Sequence, residues 1–346
     1  MTTPAPRALP VPERFAPEDF VVEEIPAYAP CGEGEHTFVR VEKRGRTTEA
    51  VARDLARAAG VRPGDVGYAG RKDRFAVTTQ WLSVPRLAPD AALALDLADA
   101  RVLEAVPHRA KLRTGHLRGN RFTITLHGVE AGAAERAAAR LAALAREGMP
   151  NRFGPQRFGR EGDNAARGLA LLRGETGRGG DRRAARFLLS ALQAAVFNEA
   201  LARRPVPLGA LEVGDVAVVH ASGGLFVVED LGREAPRADR FEISATGPLF
   251  GTRSGSRDPA PRGAPGEREA AAAAALGVDL AAPIRLPRGL RLPGGRRALR
   301  VRPDATSAEH AAGRLRLAFI LPPGSYATVL LEALADAPSG AAEEPR

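Results

Sequence analysis

The run His36-Thr-Phe-Val-Arg-Val-Glu-Lys43 alternates apolar and charged side chains with a period of two, the pattern of a half-buried strand. The same alternation recurs over 121–126 and over Arg314–Leu321, where Leu315, Leu317, Phe319 and Leu321 share one face. Shorter strand-like runs occupy 20–25, 66–68, 78–84, 215–219 and 225–228. Between these runs the period lengthens. Thr47 and Thr48 cap a helix with Val51, Leu55 and Ala58 on one side, and 133–146 is an Ala-rich helix stopped by Gly148 and Pro150. The pattern predicts further helices over 164–173, 183–203, 267–276 and 327–334. The second of them is expected to bury Phe187, Leu188, Leu192, Val196 and Leu201. Residues 247–266, dense in Gly, Pro, Ser and Arg, read as a long loop. Strands early and late with helices between them point to an α+β domain interrupted by an insertion.

Composition narrows the class. The chain has 346 residues, 26% charged and 44% hydrophobic, which suits two folded domains. No apolar run approaches the ~18 residues of a membrane helix. The opening residues lack the apolar core of a signal peptide. A lone cysteine, Cys31, excludes an intrachain disulfide and an all-cysteine metal site. A cytoplasmic protein that does not engage membranes is expected.

The formal charge of +9 is unevenly distributed. Residues 109–121 carry five basic residues and no acid, and 151–190 carry nine arginines against four acids. A surplus gathered in this way is the footprint of a polyanion-binding face, or else of two solvated charged surfaces.

Cofactor motifs are absent: no phosphate loop and no dinucleotide fingerprint occurs. Cys31, Glu33, Glu35 and His36 crowd together but read as polar loop residues, so neither metal nor cofactor is expected. The strongest candidate for chemistry is Asp73, in Gly70-Arg-Lys-Asp-Arg74. Cations at Arg71, Lys72 and Arg74 are expected to keep it ionised, either as a reactive carboxylate or as part of a surface ion-pair cluster. Two segments mix arginine with aromatic residues: Gly115-His-Leu-Arg-Gly-Asn-Arg-Phe122 and Asn151-Arg-Phe-Gly-Pro-Gln-Arg-Phe-Gly159. Phe122, Phe153 and Phe158 either stack unpaired bases or anchor these loops in the core. The residues by themselves lead to an RNA-binding protein with a candidate carboxylate nucleophile.

Six motifs in order resemble those of the TruD family of tRNA pseudouridine synthases. They are Pro17-Glu-Asp-Phe-Val-Val22, Gly32-Glu-Gly-Glu-His36, Gly67-Tyr-Ala-Gly-Arg-Lys-Asp-Arg74 with Ala76-Val-Thr78, Arg118-Gly-Asn-Arg-Phe122, 151–159, and Leu321-Pro-Pro-Gly-Ser-Tyr-Ala-Thr328. The resemblance implies an α+β catalytic domain built from 1–147 and 301–346, with a mixed, largely antiparallel sheet and flanking helices. An RNA-binding α/β insertion would occupy 148–300. It implies isomerisation of the uridine at position 13 of tRNA to pseudouridine, without metal or cofactor. Asp73 would be the catalytic carboxylate, and Arg14 would orient it in a fork. Phe20, Asn120 and Tyr326 would contact the target nucleotide, and Phe122 would wall its pocket. Lys72, Phe153, Gln156 and Arg157 would orient or bind RNA. Two positions depart from the family pattern: Arg152 replaces a common aromatic and Glu332 a usual arginine. Two rival expectations share the scaffold: a synthase for another structured RNA, and a non-catalytic RNA-binding or folding factor.

Overall fold

A computed structural model of the chain describes residues 9–175, 181–252, 258–286 and 290–335. The chain divides into two compact units. One comprises 9–145, 303–327 and 331–335, and the other comprises 146–302 with 328–330.

In the first unit the alternating segments become strands β1 (Phe20–Pro26), β2 (His36–Lys43), β3 (Gly67–Tyr68), β4 (Val77–Pro85), β5 (Ala100–His108) and β6 (Leu117–His127). Helices α1 (Thr48–Ala58), α2 (Pro89–Leu93) and α3 (Ala131–Glu147) separate or follow them. α1 starts where Thr47 accepts a hydrogen bond from the Ala50 amide at 3.2 Å, a side-chain N-cap.

The second unit begins with β7 (Met149–Pro150) and continues through α4 (Asn164–Leu172), α5 (Arg182–Ala202), β8 (Val216–Val219), β9 (Leu225–Val227) and α6 (Leu231–Asp239). It closes with β10 (Ile243–Leu249), α7 (Gly263–Ala275), β11 (Gly295–Ala298) and β12 (Arg300–Val301). Its sheet runs β11-β10-β8-β9. α5 is apolar on more than one side because it serves two cores: Phe197 packs with Ala217 and Ile243, whereas Leu189, Leu192 and Val196 pack with Ala273 and Val278.

The chain then re-enters the first unit as β13 (Asp304–Ala311), β14 (Arg314–Leu321) and α8 (Ala327–Ala335). The sheet of that unit runs β13-β14-β6-β1-β4-β2-β5, with β3 beside β4. The pairing of β1 with β4 is parallel and the others are antiparallel. This mixed, largely antiparallel sheet with flanking helices is the expected α+β class. Val51, Ala52 and Leu55 of α1 cover Val39, Val41, Leu82 and Val84 on one face. Phe38, Trp81 and Leu112 form a separate core.

Several expectations needed correction. The loop read over 247–266 is shorter, because β10 runs through Leu249 and α7 starts at Gly263; residues 253–257 lie outside the described part. Phe187 is exposed rather than buried in α5. α6 escaped prediction because it is polar and contains Pro236; Asp230 caps it, accepting from the amides of Gly232 and Arg233. β13 also escaped because it is an almost wholly exposed edge, defined by its hairpin to β14 and not by apolar alternation. The hairpin turns through Ala312 and Gly313, both with positive φ as a tight right-twisted turn requires.

Gly119 in β6 marks a close approach: an added Cβ would stand 2.6 Å from the Leu321 carbonyl oxygen of β14. Gly119→Ala is therefore expected to part this pair of strands and destabilise the protein by about 1–3 kcal/mol. Exposed Arg118 next to it has no such constraint, and Arg118→Ala should stay within about 0.5 kcal/mol of the parent. Urea denaturation of the two variants checks the contrast.

Candidate active site

Strand register gathers one row of side chains across the sheet. Lys43 of β2 stands opposite Thr78 of β4, Thr78 beside Val22 of β1, Val22 opposite Phe122 of β6, and Phe122 opposite Phe319 of β14. Register partners share a face, so these five residues line one side. The next positions on that face include Glu24, paired with Asn120, and Asn120 paired with Leu321. The row is thus apolar at β6 and β14 and polar at β2 and β4.

Aromatic rings continue the apolar end. Phe15 contacts Phe20 at 5.2 Å between centroids, Phe20 meets Phe122 edge-on at 6.1 Å, and Phe122 stacks on Phe319 at 5.4 Å. Phe20 is half-buried and Phe122 buried, so both expected pocket residues belong to one cluster. Asn120 is half-buried too, and its Oδ1 is buried without a hydrogen-bond partner among the described residues. An orphaned acceptor of this kind is unfavourable unless a ligand satisfies it. Tyr326 lies half-buried in the turn that follows β14, five residues beyond Leu321.

Asp73 precedes β4 by four residues, at the end of the sheet where the parallel neighbour β1 begins. It is exposed, and its Oδ1 accepts from the Phe75 amide at 2.9 Å, an Asx turn. Its second carboxylate oxygen has no hydrogen-bond partner among the described residues. The loop is held by groups buried around it. Lys72 forms an ion pair with Glu24, both side chains being buried, and Glu24 also accepts from the Trp81 amide at 3.3 Å. The Lys72 amide donates to Thr48 Oγ1 at 3.0 Å, Thr48 Oγ1 donates to Gln80 at 2.7 Å, and Gln80 Nε2 donates to the Gly70 carbonyl at 3.1 Å. Lys43 Nζ donates to the Asp73 carbonyl at 2.8 Å.

The cations flanking Asp73 in sequence do not surround its carboxylate, contrary to expectation. Arg71 pairs with Glu49 at 2.6 Å, Lys72 with Glu24, and Arg74 donates to the Gly45 carbonyl at 3.0 Å. Neither does Arg14 form the expected fork. Its guanidinium lies 3.9 Å from the centroid of the exposed Phe75 ring and pairs with no carboxylate among the described residues. That stacking still ties the segment containing Phe15 to the Asp73 loop.

Asp73, Arg14, Phe20, Lys72, Asn120, Phe122 and Tyr326 belong to the first unit, and Phe153, Gln156 and Arg157 to the second. Phe153 is anchored: its ring meets Phe197 at 5.6 Å, and Asn198 bonds both its amide and its carbonyl. Arg297 lies 4.3 Å from its centroid. Arg157 sits between Phe153 and Phe187, at 5.4 and 5.7 Å, and donates to Ser190. Gln156 is exposed. Cys31 donates to the Glu33 carbonyl at 3.2 Å, and no group of three or more metal-ligating side chains occurs among the described residues. Nor does any described helix have the length and apolarity to cross a membrane.

Residue patterns alone did not single out Glu24, Lys43, Gln80 or Phe75, and marked Thr48 only as a helix cap. For two of them a signal existed. Glu24 continues the inward parity of Val22, and Lys43 that of Val39 and Val41. A charge at an inward strand position calls for a partner.

The profile of the family tRNA pseudouridine synthase D (TruD) matches residues 14–179 and 181–334. A tRNA pseudouridine synthase D of Anaeromyxobacter dehalogenans is 47% identical over 338 residues, spanning 96% of this chain and 94% of that protein. One from Thermus thermophilus is 46% identical over 322 residues, spanning 92% and 86%. The crystal structure of a putative tRNA pseudouridine synthase D from Methanosarcina mazei superposes with a TM-score of 0.72 at 23% identity. It covers 95% of this chain and 93% of that one, a likeness of fold. With the profile spanning nearly all of the described residues and relatives near half identity over the same length, the chain belongs to the tRNA pseudouridine synthase D family.

Proposed function

We propose that this protein isomerises the uridine at position 13 of tRNA to pseudouridine in the cytoplasm, with Asp73 as the nucleophile. Family membership supports the reaction class and the tRNA substrate. The observation that carries the assignment of Asp73 is local. Its carboxylate keeps one oxygen unbonded among the described residues, on a loop tied through Phe75, Arg14 and Phe15 to the aromatic cluster of Phe20 and Phe122.

The chemistry asks little beyond such a site. The bond from uracil N1 to ribose C1′ breaks, a bond from C5 to C1′ forms, the C5 proton leaves, and N1 gains a proton. No atom or electron is gained overall. A carboxylate that forms and releases a covalent adduct divides the difficult step. The uridine must leave its stack, and an aromatic wall is suited to receive the flipped base. Phe20 and Phe122 supply that wall, with Phe319 behind Phe122. Uracil N3–H is a donor, and the orphaned Asn120 Oδ1 is an acceptor of the right kind to hold the base while it is detached. Tyr326, in the turn after β14, contacts the same nucleotide.

The arginine-bearing segments 109–121 and 151–190 bind the phosphate backbone, with Arg157 and Gln156 among the contacts and Phe153 anchoring the loop that carries them. Lys72 acts indirectly, by fixing the loop against Glu24.

Asp73→Ala is expected to lower the saturated rate by on the order of 10³-fold or more while leaving tRNA affinity within a few-fold. Chemical mapping of pseudouridine in tRNA treated with each protein reads this directly. Equal conversion at position 13 by both proteins would remove Asp73 from the reaction, and conversion at other sites only would move the target. Binding should weaken by on the order of 10²-fold or more as salt rises from about 50 to 200 mM, since several phosphate contacts release counterions together. A filter-binding series that stays flat with salt would contradict the assignment of the basic segments.

A further inference from the structure

Lys43 is among the most deeply buried large side chains of the protein, at 2% exposure. Its inward position at the end of β2 follows Val39 and Val41, where an apolar residue would fit without desolvation. The ammonium has a single hydrogen-bond partner among the described residues, the main-chain carbonyl of Asp73 at 2.8 Å, and no ion pair. Three groups bear on its charge: the Asp73 carboxylate and Glu49 of α1 favour it, and Lys72 opposes it. A buried charge with one neutral acceptor is an unfavourable choice for stability alone. What it touches is the backbone of the residue assigned the chemistry.

We propose that Lys43 is a positioning residue for the isomerisation, fixing the main chain of Asp73 and setting a positive potential under its carboxylate. The proposal rests on the assignment of Asp73 made above. Two effects combine. The hydrogen bond sets where the Asp73 Cα sits, and a misplacement of about 1 Å at a nucleophile lowers a rate by on the order of 10²-fold. The charge places a buried cation on the main-chain side of Asp73.

Burial pulls the Lys43 pKa down to about 8 from its ordinary 10.5. Below about 8 the ammonium is present; as pH rises through that value the charge is lost, and with it the potential under Asp73. The saturated rate should therefore fall on the alkaline side. Stability should move the other way. Between about 8 and 10.5 the unfolded chain binds a proton that the native state has released, so stability rises with pH across that window.

The test measures single-turnover rates at saturating enzyme, apparent affinity and Tm for the full-length wild type, Lys43→Met, Lys43→Arg and Asp73→Ala. Unmodified tRNA transcript is the substrate, from about pH 6.5 to 9.5. Lys43→Met is expected to react on the order of 10²-fold more slowly with affinity within about threefold, and to lose the alkaline limb. Its Tm at pH 7 should equal or exceed that of the wild type, because an uncompensated buried charge has been removed. Lys43→Arg should carry activity to higher pH than lysine does. A Lys43→Met rate within about threefold of wild type, a limb that persists without the lysine, or a marked fall in Tm would each overturn the proposal. An inactive Asp73→Ala beside a fully active Lys43→Met would sink the lysine alone, whereas an active Asp73→Ala would sink the reading on which it rests.

Discussion

The ion pair between Lys72 and Glu24 joins the two parts on which the site depends. Glu24 belongs to β1, a central strand of the sheet, and Lys72 to the loop that carries Asp73. With both charges out of water, losing either partner leaves the other uncompensated, at a cost of about 3 kcal/mol or more. The loop is therefore welded to the sheet next to the residue it presents. Because Glu24 also accepts from the Trp81 amide, the same carboxylate fixes β4, the strand into which the loop runs. Exposure of Asp73 and rigidity of its surroundings are compatible for this reason.

Around that pair the sheet sorts its inward face by chemistry. Phe122 and Phe319 give way across β1 and β4 to Thr78 and Lys43, within one continuous row. An aromatic end and a polar end that holds the Asp73 loop thus share a single sheet. The parallel pairing of β1 with β4 is what makes this possible. It sets the start of β1, where Phe20 lies, beside the start of β4, just beyond Asp73. An antiparallel pair would have put the two at opposite ends.

Strand β2 was legible to the residue, because alternation over eight positions reports burial directly. The edge strand β13 was not, since its partner and not its own pattern defines it. At the site the contrast is sharper. Asp73 was conspicuous in sequence as a carboxylate among cations, yet neighbours in sequence around the Asx turn reach different partners. Arg71, Lys72 and Arg74 accordingly found Glu49, Glu24 and the Gly45 carbonyl instead. An inward charge such as Glu24 shows that a partner is needed, but local pattern does not say which residue tens of positions away supplies it. The resemblance to the family supplied the reaction, while the partners of each charge came only from the fold.

Those internal pairings also separate two properties that could have been entangled. Arg71 and Lys72, already paired with Glu49 of α1 and Glu24 of β1, have little charge left to offer a phosphate backbone. On the proposed reading, affinity for RNA rests on the arginine-bearing segments elsewhere in the chain, which would be free to drift, lengthen or exchange arginines without disturbing the carboxylate. A lineage could retarget such a protein to a differently shaped RNA through its arginine-bearing segments while inheriting the reaction intact.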